Sequence, residues 1–281
     1  MTDLSIIIVN FNNRKLLEEC LGSIYRSTKN ISFEVILSDN GSTDGSQEMV
    51  KAKFPGVKII KNKENLGFTK ASNQGLEIYN GRYAMLLNND TFVKDDAFDL
   101  MVAFMDNNPC VGACGPKLLN VNGTIQRQGG FLGRKLWKST KPVEANFVIG
   151  ACLMVRREVI DKVGLLDENL FFYNDDLDWC LRIRKAGFKI YYLPDAEVTH
   201  YGGYSSKRIF NRKLFVEGFR GGLHFVKKHH GPVAFYLYKA ILSSAIVIYL
   251  PFFILSYPLK REKFTDRLFA YFDILKIASF G

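Results

Sequence analysis

The sequence predicts an α/β fold, in which a mostly parallel central sheet is flanked by helices and followed by an apolar helical tail. Over the first ninety residues, short β-branched runs alternate with segments of helical periodicity. Strand–helix–strand order favours parallel pairing through right-handed crossovers. Residues 240–259 then form a run of twenty residues without a charge, long enough for a membrane helix.

Each predicted element has its own signal. Four apolar runs predict buried strands over residues 5–9, Phe33–Asp39, 57–61 and Tyr83–Asn88. Between the first two, Leu17, Leu21 and Ile24 recur at helical spacing. The second half is less regular, with strands predicted over 111–119, 146–155 and 189–193 and a helix over 176–186 that Gly187 ends.

Composition limits the classes of protein to consider. With 47% hydrophobic and 23% charged residues among 281, the chain is globular rather than disordered. The five cysteines are odd in number and lie mostly in apolar runs, which predicts buried thiols in a reducing cytosol. The first apolar run is too short for a signal peptide, so export is not expected.

A strong positive charge precedes the apolar tail. The net charge is +10, and residues 201–231 alone carry +6. Such a surface suits nucleic acid, anionic lipid or phosphorylated substrates, but the uncharged run that follows favours a membrane surface and no nucleic acid. Because Pro251 and Pro258 interrupt that run, three arrangements stay open: a span, a surface-lying or re-entrant helix, and a soluble tail.

Polar residues follow three of the predicted strands, at Asn10–Asn13, Asp39–Gly45 and Asn88–Asp90. Ligands of parallel sheets bind at these carboxyl ends, which suggests a nucleotide crevice, although the same residues also form turns. Another polar group, Asn65, Gly67 and Asn73, suits either a phosphate or a capped helix.

Several side chains suit catalysis. Asp90 follows a strand at the position where a divalent cation would bridge a diphosphate. His200 is either a structural residue or part of the same site as Asp90. Asp175, Asp176 and Asp178 crowd one helix start. Because an N-cap needs only one carboxylate, at least one of the three is a candidate general base.

Seven strings occur in order along residues 3–205: VNFNN, SDNGSTDGS, NLGFTKASNQGL, LLNNDT, IGACLMVRREV, GLLDENLFFYNDDLDWCLRIRKAG and YLPDAEVTHYGG. In this series the chain resembles glycosyltransferase family 2, in its rhamnosyltransferase-like branch. The resemblance implies a GT-A fold over residues 1–205, while charge and hydropathy predict a basic, membrane-associated helical tail over 206–281. The resemblance also implies an inverting enzyme, and the predicted tail would hold it at the inner face of the cell membrane. Such an enzyme moves a sugar from a nucleotide-diphosphate sugar to a hydroxyl of a glycan or lipid-linked acceptor.

The resemblance also implies roles for individual residues. It makes Asp176 the catalytic base, with Asp175 where many relatives have Glu, and Asp90 and His200 the ligands of Mg²⁺ or Mn²⁺. Asn88 replaces the first acid of the Asp-x-Asp motif and weakens the expected metal site. The implied donor-binding residues are Asn10, Asn12, Asp39, Asn65, Gly67, Asn73 and Asn88.

Two other classes of protein fit the sequence less well. A nucleotidyltransferase would carry a Gly-rich, basic loop after the first strand, and residues Asn10–Asn13 do not provide one. A non-catalytic sugar-binding module would have lost Asp90 or the Asp175–Asp176 pair, and both are present.

Overall fold

A computed structural model of the protein describes residues 2–127, 136–171, 173–202, 211–256 and 261–280. The chain divides into two units, one made of Met1–Asp167 with Asp175–Gly202 and the other of Glu168–Asn174 with Gly203–Gly281. The predicted domain boundary between residues 205 and 206 lies outside the described residues. The segment Glu168–Asn174, which the sequence groups with the catalytic domain, belongs to the second unit.

The first unit alternates strands and helices. Its strands are β1 (Leu4–Asn10), β2 (Phe33–Asp39), β3 (Lys58–Lys61), β4 (Tyr83–Asn88), β5 (Thr91–Val93), β6 (Val111–Leu119), β7 (Val143–Glu144), β8 (Cys152–Arg156) and β9 (Lys189–His200). Its α-helices are α1 (Arg14–Ser27), α2 (Ser46–Lys53), α3 (Phe68–Ile78), α4 (Ala97–Asn107), α5 (Arg157–Val163) and α6 (Asp175–Lys185).

These strands form one sheet in the order β3-β2-β1-β4-β8-β6-β9-β5, with β7 also paired to β9. The predicted α/β fold with flanking helices is confirmed. Strands β3, β2, β1 and β4 pair in parallel, and β6 pairs with β9 in parallel. The pairings of β8, β5 and β7 are antiparallel, so the sheet is parallel in its first half and mixed in its second.

Both faces of the sheet are covered by helices. On β1, Ile6 and Ile8 point to a core shared with α1, α2 and α4. Ile7 points to the opposite core, which α3, α5 and α6 cover. This alternation is the two-residue period of a strand buried on both faces. The α/β/α layering leaves the carboxyl ends of the parallel strands as the edge where a ligand can bind.

Three expectations need correction. The strand predicted over 146–155 is limited to β8, because a turn in which the N–H of Cys152 donates to the carbonyl of Ile149 precedes it. Strand β9 runs to His200, seven residues beyond the predicted end, because β6 stays paired with it across a register shift. Cys110 is exposed while the other four cysteines are buried, because it lies in the turn before β6.

The second unit contains two long helices, α7 (Arg212–Ser256) and α8 (Arg261–Phe280). Gly231 interrupts α7 with φ 79°, and Pro232 starts the next helical stretch, where a missing N–H costs little. The two helices share an apolar core that includes Leu223, Phe235, Leu242, Ala270 and Ile274.

The outer surface of α7 is apolar after Gly231. Large side chains are exposed along it, and Val233 and Leu255 have exposures of 81% and 78%. By length and composition, one helix in the described part of the chain, Arg212–Leu255, could cross a membrane.

Candidate active site

The polar residues after β1 and β2 form a hydrogen-bonded cluster. The side-chain amide of buried Asn10 donates to the carboxylate of Asp39 at 3.1 Å. The other Asp39 oxygen accepts from the backbone N–H of Ser42 at 2.9 Å and from Gln47 at 2.7 Å. Although Asp39 is fully buried, these donors satisfy its carboxylate.

The same edge continues to the end of β4. Asn89 donates from its side chain to the Oδ1 of Asn10 at 2.7 Å and accepts from Asn13 at 3.2 Å. A continuous hydrogen-bonded path therefore connects Asp39 through Asn10 to Asn89, which lies between Asn88 and Asp90 in the chain.

Asn12 and Asn65 shape the loops on either side of this cluster. Asn12 has a left-handed backbone with φ 49°, and its side chain accepts from the N–H of Thr43 at 2.8 Å. Asn65 accepts from the N–H of Gly67 at 2.9 Å and from Asn40 at 3.3 Å. Gly67 has φ 86° and directly precedes α3. The structure therefore brings these two loops to the β2 end of the sheet through Ser42, Thr43 and Asn40.

Asn73 makes its side-chain hydrogen bonds outside this cluster. Its side chain is only 3% exposed, donates to the carbonyl of Leu166 at 3.0 Å and accepts from the N–H of the same residue at 3.0 Å. Both amide atoms are thus used in holding α3 to the 164–167 segment. This bonding accounts for the burial of Asn73 without a ligand.

Asp90, His200 and Asn88 meet at the carboxyl end of β4. Strand β5 pairs with β9 so that Thr91 lies opposite His200, and this register brings the imidazole Nε2 within 3.3 Å of the Asp90 Oδ1. The side-chain nitrogen of Asn88 is 3.2 Å from the same Nε2. His200 and Asp90 are about nine-tenths buried, with side-chain exposures of 12% and 10%.

These residues fit a divalent cation. Carboxylate oxygen and imidazole nitrogen are both ligands of first-row divalent metals. Neighbouring ligands of an octahedral ion at about 2.1 Å lie roughly 3 Å apart, close to the 3.3 Å that separates Oδ1 of Asp90 from Nε2 of His200. No group of three or more His, Cys, Asp or Glu side chains among the described residues is arranged to hold a metal ion. Asp90 and His200 are thus the two side chains that could hold such an ion, and a bound diphosphate would have to supply further oxygen ligands.

The Asp175–Asp176 pair opens α6. Asp175 is buried, while Asp176 remains partly accessible. The Oδ2 of Asp176 accepts from the backbone N–H of Gly150 at 2.9 Å, and its Oδ1 accepts from the N–H of Leu177 at 2.8 Å. Asp178, the third acid, is ion-paired with Arg182 at 2.8 Å. Among the residues that the structure describes, Asp175 and Asp176 therefore have no basic partner.

Burial raises the pKa of both acids, and hydrogen bonds make the two shifts unequal. It raises the pKa of Asp175 to about 8, with the neighbouring Asp176 charge as the next cause. Burial also raises the pKa of Asp176, but hydrogen bonds from the N–H groups of Gly150 and Leu177 oppose this effect. A proton shared by the pair is therefore favoured on Asp175, which leaves the accessible Asp176 as the anion.

Four residues of this site have no role assigned to them from the sequence. Gln47 contacts Asp39, Asn89 contacts Asn10, Gly150 contacts Asp176, and the Oε1 of Gln126 lies 2.9 Å from the Nδ1 of His200. Asn89 and Gly150 are part of the strings LLNNDT and IGACLMVRREV and could have been selected from them. Gln126 is in none of the seven strings, so only its spatial position reveals it.

The family model for glycosyl transferase family 2 matches residues 5–164, more than half of the chain. The chain belongs to glycosyltransferase family 2. It is therefore an enzyme, a glycosyltransferase, and the nucleotidyltransferase and non-catalytic interpretations are set aside.

Individual relatives agree with this family membership. The chain is 29% identical to N-acetylglucosaminyl-diphospho-decaprenol L-rhamnosyltransferase of Mycobacterium tuberculosis over 246 residues, 74% of this chain and 79% of that protein. It is 22% identical to a dTDP-rhamnosyl transferase of Shigella flexneri, over 79% of this glycosyltransferase and 80% of the relative. A mannosyltransferase from Pyrobaculum calidifontis, solved with GDP-mannose and Mn²⁺, shares the fold. Its TM-score is 0.57 at 18% identity, over 99% of this chain and 88% of that one.

Proposed function

We propose that this glycosyltransferase binds a nucleotide-diphosphate sugar at the carboxyl ends of β1, β2 and β4 and transfers its sugar with inversion. The observation that carries the proposal is the hydrogen-bonded path from Asp39 through Asn10 to Asn89. A base or ribose bound at Asp39 and a diphosphate bound beside Asp90 would be held by one connected framework. Asn12, Asn65 and Gly67 would complete the donor pocket from the flanking loops.

Asp90 and His200 are the proposed ligands of Mg²⁺ or Mn²⁺, with Asn88 beside them. Their 3.3 Å separation and their oxygen and nitrogen donors support this assignment. When bound, a divalent cation would neutralise the diphosphate leaving group. Asn73 has a structural role in this proposal, because its amide is already bonded to Leu166.

Asp176 is the proposed general base. The acceptor hydroxyl gives its proton to the Asp176 carboxylate while the hydroxyl oxygen forms a bond to the anomeric carbon of the donor sugar. The bond from that carbon to the diphosphate oxygen breaks on the opposite face, and its electron pair leaves on the nucleoside diphosphate. The N–H of Gly150 orients the base, and Asp175 carries the proton that the crowded pair retains.

The proposed donor sugar is rhamnose, and the proposed acceptor is a lipid-linked glycan. The name of the Mycobacterium tuberculosis relative supports both, and that of the Shigella flexneri relative supports the sugar. The apolar surface exposed on α7 after Gly231 and the basic segment 201–231 support attachment to the inner face of the cell membrane. Protein that stays in the supernatant of lysed cells at low salt without detergent would contradict this attachment.

Two variants test the division of roles. We expect Asp176→Asn to keep its affinity for the nucleoside diphosphate and to lose turnover by roughly 10² to 10⁴. We expect Asp90→Ala to weaken nucleoside diphosphate binding in the presence of Mn²⁺ and to leave Mn²⁺-independent binding unchanged. Nucleoside diphosphate release over a panel of nucleotide sugars identifies the donor, and calorimetric titration with and without Mn²⁺ separates the variants. Full turnover by Asp176→Asn would refute the assignment of the base.

A further inference from the structure

The turn after β6 places one side chain against the imidazole of His200. The N–H of Asn120 donates to the carbonyl of Thr124 at 2.8 Å, and the N–H of Gln126 donates to the carbonyl of Leu118 at 2.8 Å. The chain thus folds back along β6, whose end pairs with the end of β9. Gln126 is thereby held beside the last residue of β9, where its Oε1 lies 2.9 Å from His200 Nδ1.

The orientation of the Gln126 amide is fixed by a second contact. Its Nε2 donates to the Oδ1 of Asn120 at 3.3 Å, and the Nδ2 of Asn120 in turn donates to the hydroxyl of Thr124 at 3.0 Å. With the amide nitrogen used in this way, the Oε1 faces the imidazole. A carbonyl oxygen only accepts hydrogen bonds, so His200 Nδ1 must carry the proton.

The opposite side of the ring faces the proposed metal site. The Nδ2 of Asn88 lies 3.2 Å from His200 Nε2 and donates to it when that nitrogen carries a lone pair. Asp90 Oδ1 lies on the same side, 3.3 Å from Nε2. A proton held on Nδ1 leaves the Nε2 lone pair for a cation that Asp90 would share. Metal-bound histidines usually donate their other N–H to a fixed acceptor, which sets both the tautomer and the ring angle.

We propose that Gln126 is the positioning residue that holds His200 in the tautomer and orientation required to ligate the divalent cation. The inference rests on the proposed metal site at Asp90 and His200. Gln126 acts through the imidazole and does not touch the cation. It gives a function to a residue that lies outside all seven sequence strings.

The test measures Mn²⁺ affinity of the full-length protein by electron paramagnetic resonance, without donor or acceptor. We expect Gln126→Ala to bind Mn²⁺ about 10- to 100-fold more weakly than the wild type. Gln126→Glu keeps an acceptor at Nδ1 and should retain or exceed wild-type affinity. Asn122→Ala alters the same exposed turn without touching His200 and should leave the affinity unchanged.

A double-mutant cycle distinguishes positioning from a general structural effect. If Gln126 acts through His200, then adding Gln126→Ala to His200→Ala should cause no further loss of affinity. Nitrogen-15 spectra of the imidazole should show the proton on Nδ1 in the wild type and a mixture of tautomers in Gln126→Ala.

The outcomes separate this inference from the proposal on which it rests. Absence of Mn²⁺ binding by the wild type, or an unchanged affinity in both Asp90→Ala and His200→Ala, would overturn the metal site itself. A wild-type affinity that depends on His200 but not on Gln126 would overturn only the positioning role. Equal losses from Gln126→Ala and Gln126→Glu would overturn it as well, because the acceptor would then be irrelevant.

Discussion

Replacing Asp175 by asparagine should stabilise the protein, and the gain should grow with pH. Burial and the adjacent Asp176 charge raise the pKa of Asp175 to about 8, against an ordinary value of 3.8. The fold therefore favours the neutral carboxyl. The stability that this preference contributes is fully present below pH 4 and is lost as the pH rises toward 8.

The size of the effect follows from the same pKa. Each unit between the ordinary pKa and the working pH corresponds to about 1.4 kcal/mol, so the cost at pH 7 has a ceiling of about 4 kcal/mol. Asparagine has nearly the same shape and no charge to bury. Between pH 5 and pH 7 we expect the stability of Asp175→Asn relative to the wild type to increase by about 2 to 3 kcal/mol.

Urea unfolding of the full chain in mild detergent, followed by tryptophan fluorescence, measures this difference. Trp179 is on the same helix, is fully buried, and donates to the carbonyl of Gly164 at 2.9 Å. Asp178→Asn is the matched control, because Asp178 is equally buried but paired with Arg182. That variant should lose about 3 kcal/mol at pH 7. An Asp175→Asn difference that stays constant from pH 5 to pH 8 would refute the reasoning.

Three further substitutions test the structure around the site. Asn73→Ala should lower the free energy of unfolding by about 2 to 3 kcal/mol, because it leaves two buried backbone groups unbonded, with unchanged calorimetric affinity for nucleoside diphosphate. Gly150→Ala adds a Cβ only 3.3 Å from that of Asp176, and should reduce turnover about tenfold without weakening donor binding. Gly75→Ala would place its Cβ 2.6 Å from a side chain of β1, so urea titration should show a loss of about 1 to 3 kcal/mol.

The sequence was most informative where function follows directly from strand ends. Asp39 and Asp90 were expected at the carboxyl edge because apolar runs precede them, and the strands of the first half agree with the prediction to within a residue. The residues alone do not predict that His200 contacts Asp90, because this contact depends on the long strand β9 and its pairing with β5. That pairing joins residues more than a hundred positions apart.

Other parts of the site depend on turns and side-chain directions that no local pattern encodes. Residues 146–151 are apolar enough to resemble a strand, yet they are irregular and lead into the turn between Ile149 and Cys152. From this turn the N–H of Gly150 donates to Asp176. Asn73 has a side chain of the kind that binds ligands, but its amide is hydrogen-bonded to Leu166, 93 positions away. Gln126 lies outside the recognised strings and reaches His200 only because the chain reverses after β6.

The segment Glu168–Asn174 has a practical implication for shortened forms of the enzyme. It belongs to the same unit as α7, where Asn174 donates to the carbonyl of Gly218 at 3.1 Å. Tyr173 and Asn174 both have left-handed backbones, with φ 69° and 64°, and the next residue is Asp175. A gene truncated after residue 202 would encode every strand of the sheet but would remove the helix that supports these two strained residues. Inactivity of such a truncated protein would therefore reveal nothing about its need for a membrane.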